Sequence, residues 1–350
     1  MKRILFTGGG SAGHVAPNIA IMEELTKRGD IDLCYMGGNG IEKKMVSTLK
    51  IPYYSLSAPK LIRGGGFSAF KNNILIPFRL KKAIQEAKRG LLVCRPDLIF
   101  SKGGYISLPV ILAAKKLNIP CFAHESDLSV GLTTKLTEKH CVSVFTSFPE
   151  TAKKLKNGVY SGAPIRERVT LGDREQTRKK YGVKDGEKVL LVFGGGSGSL
   201  AINTAVRKHI KKLTEKYTIF HICGENNLVK SNIRGYIQEE FVADMGGVYA
   251  MCDGILCRAG AGAVFEAIAL RKPTIFVPLI GATRGDQTQN AEYFKNKGLC
   301  HLLEQENLDG ICEAVDGLFT DEQLGKRLKE SVYRNGRVFI AERLVEFLKK

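Results

Sequence analysis

Two stretches of this 350-residue sequence place reactive side chains directly behind runs of small residues. The first is Gly8-Gly9-Gly10-Ser11-Ala12-Gly13-His14, which puts an imidazole where a helical pattern begins. A helix N-terminus disfavours imidazolium, so His14 is suited to remain neutral and accept a proton. The plain alternative is a histidine that donates one structural hydrogen bond. The second stretch runs from Gly254 to Asn290, GILCRAGAGAVFEAIALRKPTIFVPLIGATRGDQTQN. A short apolar run ends at Arg258, small residues follow from Ala259 to Ala263, and a helical pattern continues through Val264, Ala267, Ile268 and Leu270. Such a start leaves unpaired N–H groups that favour anions. Glu266, expected in the first helical turn, is placed to accept hydrogen bonds from sugar hydroxyls or simply to complement the helix dipole. Lys272-Pro273 stops the helix, Thr274–Pro278 reads as a buried strand, and Arg284-Gly285-Asp286-Gln287 opens another helix. Side by side, the two loops describe a site for an anion and hydroxyls at the carboxyl edge of a parallel sheet.

The elements that must carry these loops alternate as βαβ units do. In the first half, strands are expected at Ile4–Thr7, Leu33–Met36, Tyr53–Ser57, Leu98–Phe100, Pro120–Ala123, Ser143–Thr146 and Gly158–Ser161. Helices are expected over Pro17–Arg28 and about Leu108–Leu117, with Ser101-Lys102-Gly103-Gly104-Tyr105 as a loop and His124-Glu125-Ser126-Asp127 following its strand. Gly162-Ala163-Pro164-Ile165-Arg166 is a plausible crossing point, and Glu167–Lys188 looks charged and irregular. The pattern then restarts: strand Val189–Phe193, a second glycine turn Gly194–Ser199, helix Ala201–Thr214, and further strands at Tyr217–Cys223, Val248–Tyr249, Ile255–Cys257 and Thr274–Val277. From Leu308 the chain reads as helical. The expected fold is α/β, two doubly wound Rossmann-like domains facing across a cleft. The boundaries are 1–163 and 164–350, with the final helix able to pack back on the first domain.

An apolar content of 44% and a charged content of 25% are ordinary for a soluble globular chain. Nine cysteines without a CxxC pair argue for reduced thiols rather than disulfides or zinc, and no stretch is long and apolar enough to span a bilayer, so a cytoplasmic location is expected. The net charge of +18 is uneven: residues 1–165 hold 24 Lys/Arg against 11 Asp/Glu, and residues 166–350 hold 29 against 24. Between Lys60 and Arg95 there are nine basic residues and one acid, Glu86. No nucleic-acid module accompanies them. Instead Ile74, Leu75, Ile76, Phe78, Leu80 and Ile84 are interleaved with the charges, which suits a helix lying in an anionic headgroup layer; the alternative is a solvated helix packed on the sheet.

Two resemblances to other chemistry are disfavoured. Gly8, Gly10 and Gly13 satisfy G-x-G-x-x-G, but a dinucleotide site needs an acid after the second strand, where Gly37-Gly38-Asn39 stands. Asp30-Ile31-Asp32 mimics a DxD metal site, yet it precedes a strand and reads as turn chemistry.

Seven segments in register resemble the MurG family of N-acetylglucosaminyltransferases of peptidoglycan synthesis, members of glycosyltransferase family 28 with the GT-B fold. GGGSAGHVAPNIAI is similar to the family's GGTGGH-x-x-P, GGYISLPVILAA to GGY-x-S-x-P, HESD to HEQN, and SGAPIR to GNPVR. FGGGSGSLAIN is similar to GGS-x-GA-x-x-[IL]N, CRAGAGAVFEAI to RSGA-x-T-x-x-E-[IL], and DQTQNA to Q-x-x-NA. HESD and RGDQ-x-x-NA also resemble a second MurG-like subtype of some Gram-positive bacteria.

The resemblance implies UDP-GlcNAc bound mainly by the C-terminal domain and lipid I (undecaprenyl-pyrophosphoryl-MurNAc-pentapeptide) bound by the N-terminal one. GlcNAc would pass with inversion to the 4-hydroxyl of MurNAc, making lipid II, with no metal or cofactor, at the cytoplasmic face of the membrane. Glu266 would hold the ribose, backbone at Ala261, Gly262, Ala263 and Val264 the diphosphate, Val242 the uracil, and Gln287 and Asn290 the donor sugar. Arg166 would reach the donor from the hinge, and Ser11, Ala12, Gly13 and His14 would line the acceptor side. Tyr105, Asp127, Gly196, Ser197 and Arg258 count among the substrate-binding residues, with His14 the expected base and Glu125 its competitor. The chain departs from the family pattern at Ala12 (usually Gly), Asp127 (usually Asn) and Gly196 (usually Ser, with Ser197 beside it). The alternatives are a transferase with another lipid-linked or glycolipid acceptor, a sugar-nucleotide 2-epimerase, and a regulator that kept only the donor site.

Overall fold

The computed structural model describes residues 1–61, 73–196, 198–280 and 285–350. It divides into two compact units, residues 1–166 with 334–350, and residues 167–333.

In the first unit seven strands form one sheet: β1 (Lys2–Thr7), β2 (Ile31–Gly37), β3 (Tyr53–Ser55), β4 (Leu98–Ser101), β5 (Cys121–Glu125), β6 (Ser143–Thr146) and β7 (Gly158–Tyr160). All pairings are parallel, in the order β3-β2-β1-β4-β5-β6-β7. The inner strands are continuous apolar runs because helices cover both faces. One face packs Val15, Ile19 and Met22 of the helix Ala12–Thr26 with Ile340, Ala341 and Leu344 of the helix Gly336–Leu348. The opposite face packs Ala83, Ala87 and Leu91 of the helix Ile76–Cys94 with Val110 and Ile111 of the helix Ser107–Lys116.

The C-terminal helix is tied to this unit by more than its apolar side. Arg337 Nε lies 3.4 Å from Glu24 Oε2, both side chains largely buried, and the Arg334 guanidinium donates to the Tyr160 carbonyl at 2.8 Å. Phe347 meets Phe122 edge-on at 5.1 Å.

The second unit repeats the topology with six parallel strands: β8 (Val189–Phe193), β9 (Thr218–Ile222), β10 (Tyr236–Glu239), β11 (Gly254–Cys257), β12 (Thr274–Phe276) and β13 (His301–Leu302), in the order β10-β9-β8-β11-β12-β13. In each sheet the order reverses once, between β1 and β4 and between β8 and β11. That reversal fixes where loops can form a ligand crevice.

Several expectations are corrected. Val248–Tyr249 lies in a helix, Met245–Met251, capped by the Asp244 side chain; the strand is Tyr236–Glu239, a half-buried edge strand whose polar residues give no apolar run. The first helix begins at Ala12 rather than Pro17, so Pro17 removes an interior helical hydrogen bond instead of opening the first turn. β5 runs through His124 and Glu125 rather than ending before them. Arg174–Lys180, within the stretch read as irregular, is a helix capped by Asp173. β13 has two residues and no sequence signal of its own.

Leu344 is fully buried against the first helix. Leu344→Ala is expected to lower unfolding free energy by about 2–5 kcal/mol in urea titration; a loss under about 1 kcal/mol would show that the C-terminal helix adds little to this unit.

Candidate functional site

In the first unit three strand-end loops meet at the β1/β4 reversal. The first is Gly8–Ser11, where Gly10 has φ +83°; a Cβ there would lie 2.6 Å from Cε1 of Tyr105 on the loop after β4. A Cβ on Gly104 would meet the Gly9 carbonyl at 2.8 Å and His14 Nδ1 at 3.2 Å. The glycines at 9, 10 and 104 therefore serve close packing of loop on loop. Gly13 is different: the nearest atom to an added Cβ is Ser11 Oγ at 3.8 Å, so its backbone is open to approach.

His14 sits in the first turn of its helix. Its Nδ1 is 3.1 Å from the Gly9 carbonyl and 3.1 Å from Ser11 Oγ. Because a carbonyl only accepts, Nδ1 carries the proton, which leaves the Nε2 lone pair available. Desolvation, and then the charge of Lys102, hold its pKa down at about 4. A neutral ring with its lone pair on Nε2 is what a general base requires.

Glu125 is built differently. Its Oε1 accepts from the N–H groups of Ser126 (3.1 Å) and Asp127 (3.5 Å), and its Oε2 from Gly131 N–H (2.9 Å) and Thr134 Oγ1 (2.6 Å). Those four donors anchor the loop after β5. Asp127 is half-buried beyond it. His124, buried and 3.4 Å from Ser147 Oγ through Nε2, is held well below the usual histidine range by burial and then by Lys102.

In the second unit the corresponding reversal lies between β8 and β11. Here the glycines open outward: an added Cβ would meet nothing within 4 Å at Gly195, Gly196, Gly260 or Gly262. Ser197 lies outside the described residues. The helix Ala261–Ala269 starts behind Gly260 with neither a side-chain cap nor an acid in its first turn. The Val264 N–H is spent on the Gly260 carbonyl at 3.0 Å, so the end of the helix offers the N–H groups of Ala261, Gly262 and Ala263. This corrects the place of Glu266. It lies in the second turn, away from the dipole end, and its Oε2 accepts from the hydroxyl of fully buried Tyr249 at 2.9 Å. Burial keeps that phenol protonated, its pKa well above the usual range.

Arg258 is buried. One terminal nitrogen donates to the Val277 and Pro278 carbonyls (3.2 Å each), the other to Ser199 Oγ (2.8 Å) and Gln305 Oε1 (2.6 Å). It thus staples the second glycine loop to the end of β12. Gln287 Oε1 accepts from Leu279 N–H at 3.0 Å, and Asn290 is fully buried on the helix Asp286–Lys295. Val242 is buried just before the Asp244 cap. Arg166, half-buried, is the residue at which the first unit ends.

Sequence reasoning missed Tyr249, Lys102 and the stapling role of Arg258. Tyr249 was hidden by the strand misreading. Lys102 had a legible signal, a lone cation before two glycines. Among the described residues no group of three or more His, Cys, Asp or Glu side chains is gathered as a metal site would be.

Residues 4–146 match the glycosyltransferase family 28 N-terminal domain and residues 189–343 the family's C-terminal domain. The chain belongs to glycosyltransferase family 28. Within that family it is similar to the UDP-N-acetylglucosamine–N-acetylmuramyl-(pentapeptide) pyrophosphoryl-undecaprenol N-acetylglucosamine transferase of Clostridium novyi (strain NT), at 39% identity over 99% of each chain. The enzyme of the same name from Clostridium perfringens (strain SM101 / Type A) is 41% identical over 88% of this chain and 87% of its own. These relatives place the chain in the MurG family. The crystal structure of Acinetobacter baumannii MurG superposes with a TM-score of 0.74 at 23% identity, covering 99% of this chain and 100% of that one. A UDP-GlcNAc 2-epimerase from Neisseria meningitidis gives 0.67 at 17% identity with full coverage of both. Likeness at these identities establishes the shared fold, that of the GT-B glycosyltransferases.

His14 is expected to stay neutral down to about pH 4, so its ring resonances should titrate with a midpoint near that value by NMR. A midpoint at the ordinary value, about 6.5, would show the ring to be water-exposed and uncoupled from Lys102.

Proposed function

We propose that this protein transfers GlcNAc from UDP-GlcNAc to the 4-hydroxyl of MurNAc in lipid I, with inversion, to make lipid II. The observation that carries the proposal is end-to-end identity at 39% with a transferase of that name. The uncapped helix behind open glycines in the second unit and the neutral imidazole in the first supply a consistent chemistry.

The step is a direct displacement. The acceptor oxygen forms a bond to the anomeric carbon as the bond from that carbon to the UDP oxygen breaks, and the electron pair leaves with UDP. The acceptor proton passes to His14 Nε2. In this scheme the N–H groups of Ala261, Gly262 and Ala263, with Arg166, stabilise the departing diphosphate. Glu266, held by Tyr249, binds the ribose hydroxyls, Val242 flanks the uracil, and Gln287 and Asn290 contact the sugar. Gly196 and Ser197 border the donor, while Arg258 frames that side through its four bonds. On the acceptor side, Ser11, Ala12, Gly13, Tyr105 and Asp127 line the site, and Glu125 acts by holding its loop rather than as the base. The N-terminal unit is thus the acceptor domain and the C-terminal unit the donor domain.

Lipid I is membrane-bound, so the protein works as a peripheral protein on the anionic cytoplasmic surface. What supports this is the helix Ile76–Cys94. Its Ala83, Ala87, Leu91 and Cys94 are buried, while Ile74, Leu75 and Phe78 at its start are exposed beside Arg79, Lys81 and Lys82. Arg63 and Lys71, part of the same basic segment, lie outside the described residues. Among the described residues no helix is long and apolar enough to cross a membrane.

Incubation with UDP-GlcNAc and a lipid I analogue should release UDP and add one GlcNAc to the acceptor by mass; no transfer, or hydrolysis or epimerisation of the donor instead, would refute the assignment. His14→Ala should cut turnover by roughly 10²–10⁴-fold with donor binding retained. Flotation should show binding to anionic but not neutral vesicles, weakened by salt and by Phe78→Ser. Equal binding to both vesicle types would remove the electrostatic account.

A further inference from the structure

The segment FGGGSGSLAIN ends in an asparagine to which the chemistry above gives no part. Asn203 is buried on the helix Leu200–Lys208, behind the second glycine turn. Its Nδ2 donates to the Cys223 carbonyl at 2.9 Å, and its Oδ1 lies 3.0 Å from Nε2 of His221, a buried residue of β9. The other ring nitrogen, Nδ1, lies 3.0 Å from the hydroxyl of Tyr236 on β10. The Cys223 end sets the sense of the whole chain. A carbonyl only accepts, so the amide turns its NH2 to Cys223 and its oxygen to His221. The imidazole then carries its proton on Nε2, and Tyr236 donates to Nδ1. Burial, and then the charge of Arg207, hold the ring pKa down at about 3, so at neutral pH the direction is fixed.

The carbonyl at which this chain ends is the floor of the second glycine turn. It lies one residue past the parallel ladder, which ends at Ile222. Gly198, with φ +75°, rests directly on it: an added Cβ would overlap the Cys223 oxygen and stand 3.1 Å from Gly224 Cα. Beside it Ser199 Oγ accepts from Arg258 at 2.8 Å. The turn is thus supported twice, from β9 through Asn203 and from β12 through Arg258. Gly195 and Gly196, earlier in the same turn, face open space. Glycine restrains its own backbone least, so the open part takes its place from those supports.

We propose that Asn203, oriented by His221 and Tyr236, is a positioning residue for the donor nucleotide. It holds the Cys223 carbonyl under Gly198 and so sets where the open backbone of Gly195 and Gly196 meets the donor. The inference rests on the donor lying at the second unit's loops, as proposed above. It gives the buried asparagine and histidine a part in donor affinity, distinct from their part in filling the core.

The test compares wild type with Asn203→Asp, His221→Phe and Val206→Ala. Asn203→Asp keeps the shape and the acceptor for His221 but loses the donor to Cys223. His221→Phe keeps a ring but frees the amide to turn. Val206 is buried on the same helix, outside the polar chain, and its truncation controls for lost stability alone. Titrated calorimetrically with UDP, Asn203→Asp and His221→Phe should each bind about tenfold more weakly than wild type, the loss of one buried hydrogen bond. In the transfer assay the KM for UDP-GlcNAc should rise to match, with kcat and the KM of the lipid I analogue within about twofold. Val206→Ala should lower the urea midpoint yet leave UDP binding unchanged. UDP binding by either polar variant within about twofold of wild type, a loss confined to kcat, or an equal weakening in Val206→Ala would overturn the proposal. If wild type binds UDP but transfers no GlcNAc, the transferase reading fails and the UDP comparison still decides the role of Asn203. If wild type does not bind UDP, both fall.

Discussion

One topological constraint organises the chemistry: in each parallel sheet the strand order reverses once. On either side of a reversal the following helices leave toward opposite faces. In the first unit the helix after β1 packs with the C-terminal helix, while the helix after β4 packs with Ile76–Cys94 on the other side. The two loops must part at that point, and their helix starts expose amide groups that no strand or helix can satisfy. The same arithmetic of connections operates between β8 and β11. A chain folded this way has two anion-attracting edges before any side chain is chosen, and the side chains then decide what each edge does with that field.

The contrast between the two edges follows from their glycines. At the first, Gly9, Gly10 and Gly104 are consumed in packing loop against loop, which leaves His14 held from one side by the Gly9 carbonyl and Ser11. At the second, Gly195, Gly196, Gly260 and Gly262 face open space, so the backbone itself is the binding surface. Arg258 sits behind that surface and spends its guanidinium on protein acceptors, so rigidity there comes from a buried charge bonded within the protein.

Much of this was legible in residue order, for identifiable reasons. Strands such as Val189–Phe193 are buried on both faces and so read as unbroken apolar runs, and glycine turns mark where each one ends. Tyr236–Glu239 was not legible, because an edge strand half exposed carries Gln238 and Glu239 and loses the apolar signature. Tyr249 was mistaken for a strand residue because Gly246-Gly247-Val248-Tyr249 has no helical propensity; an Asp244 cap and tight packing make the helix there. Glu266 was assigned to the right helix but one turn too early, since the sequence does not say that Gly260 is the cap. Partner identity was out of reach altogether: nothing in the spelling of Arg258 says that its guanidinium is bonded four times.

The first unit is not encoded by a continuous stretch of sequence, since residues 334–350 complete its core after residues 167–333 have intervened. Made in order on the ribosome, its sheet therefore waits with the face carrying Ile4, Phe6 and Phe100 incompletely covered while the whole second unit is synthesised and free to fold. The first-made half of the protein thus becomes the last to finish, and for that interval an aromatic-rich surface depends on chaperones, or on speed, to stay out of aggregates.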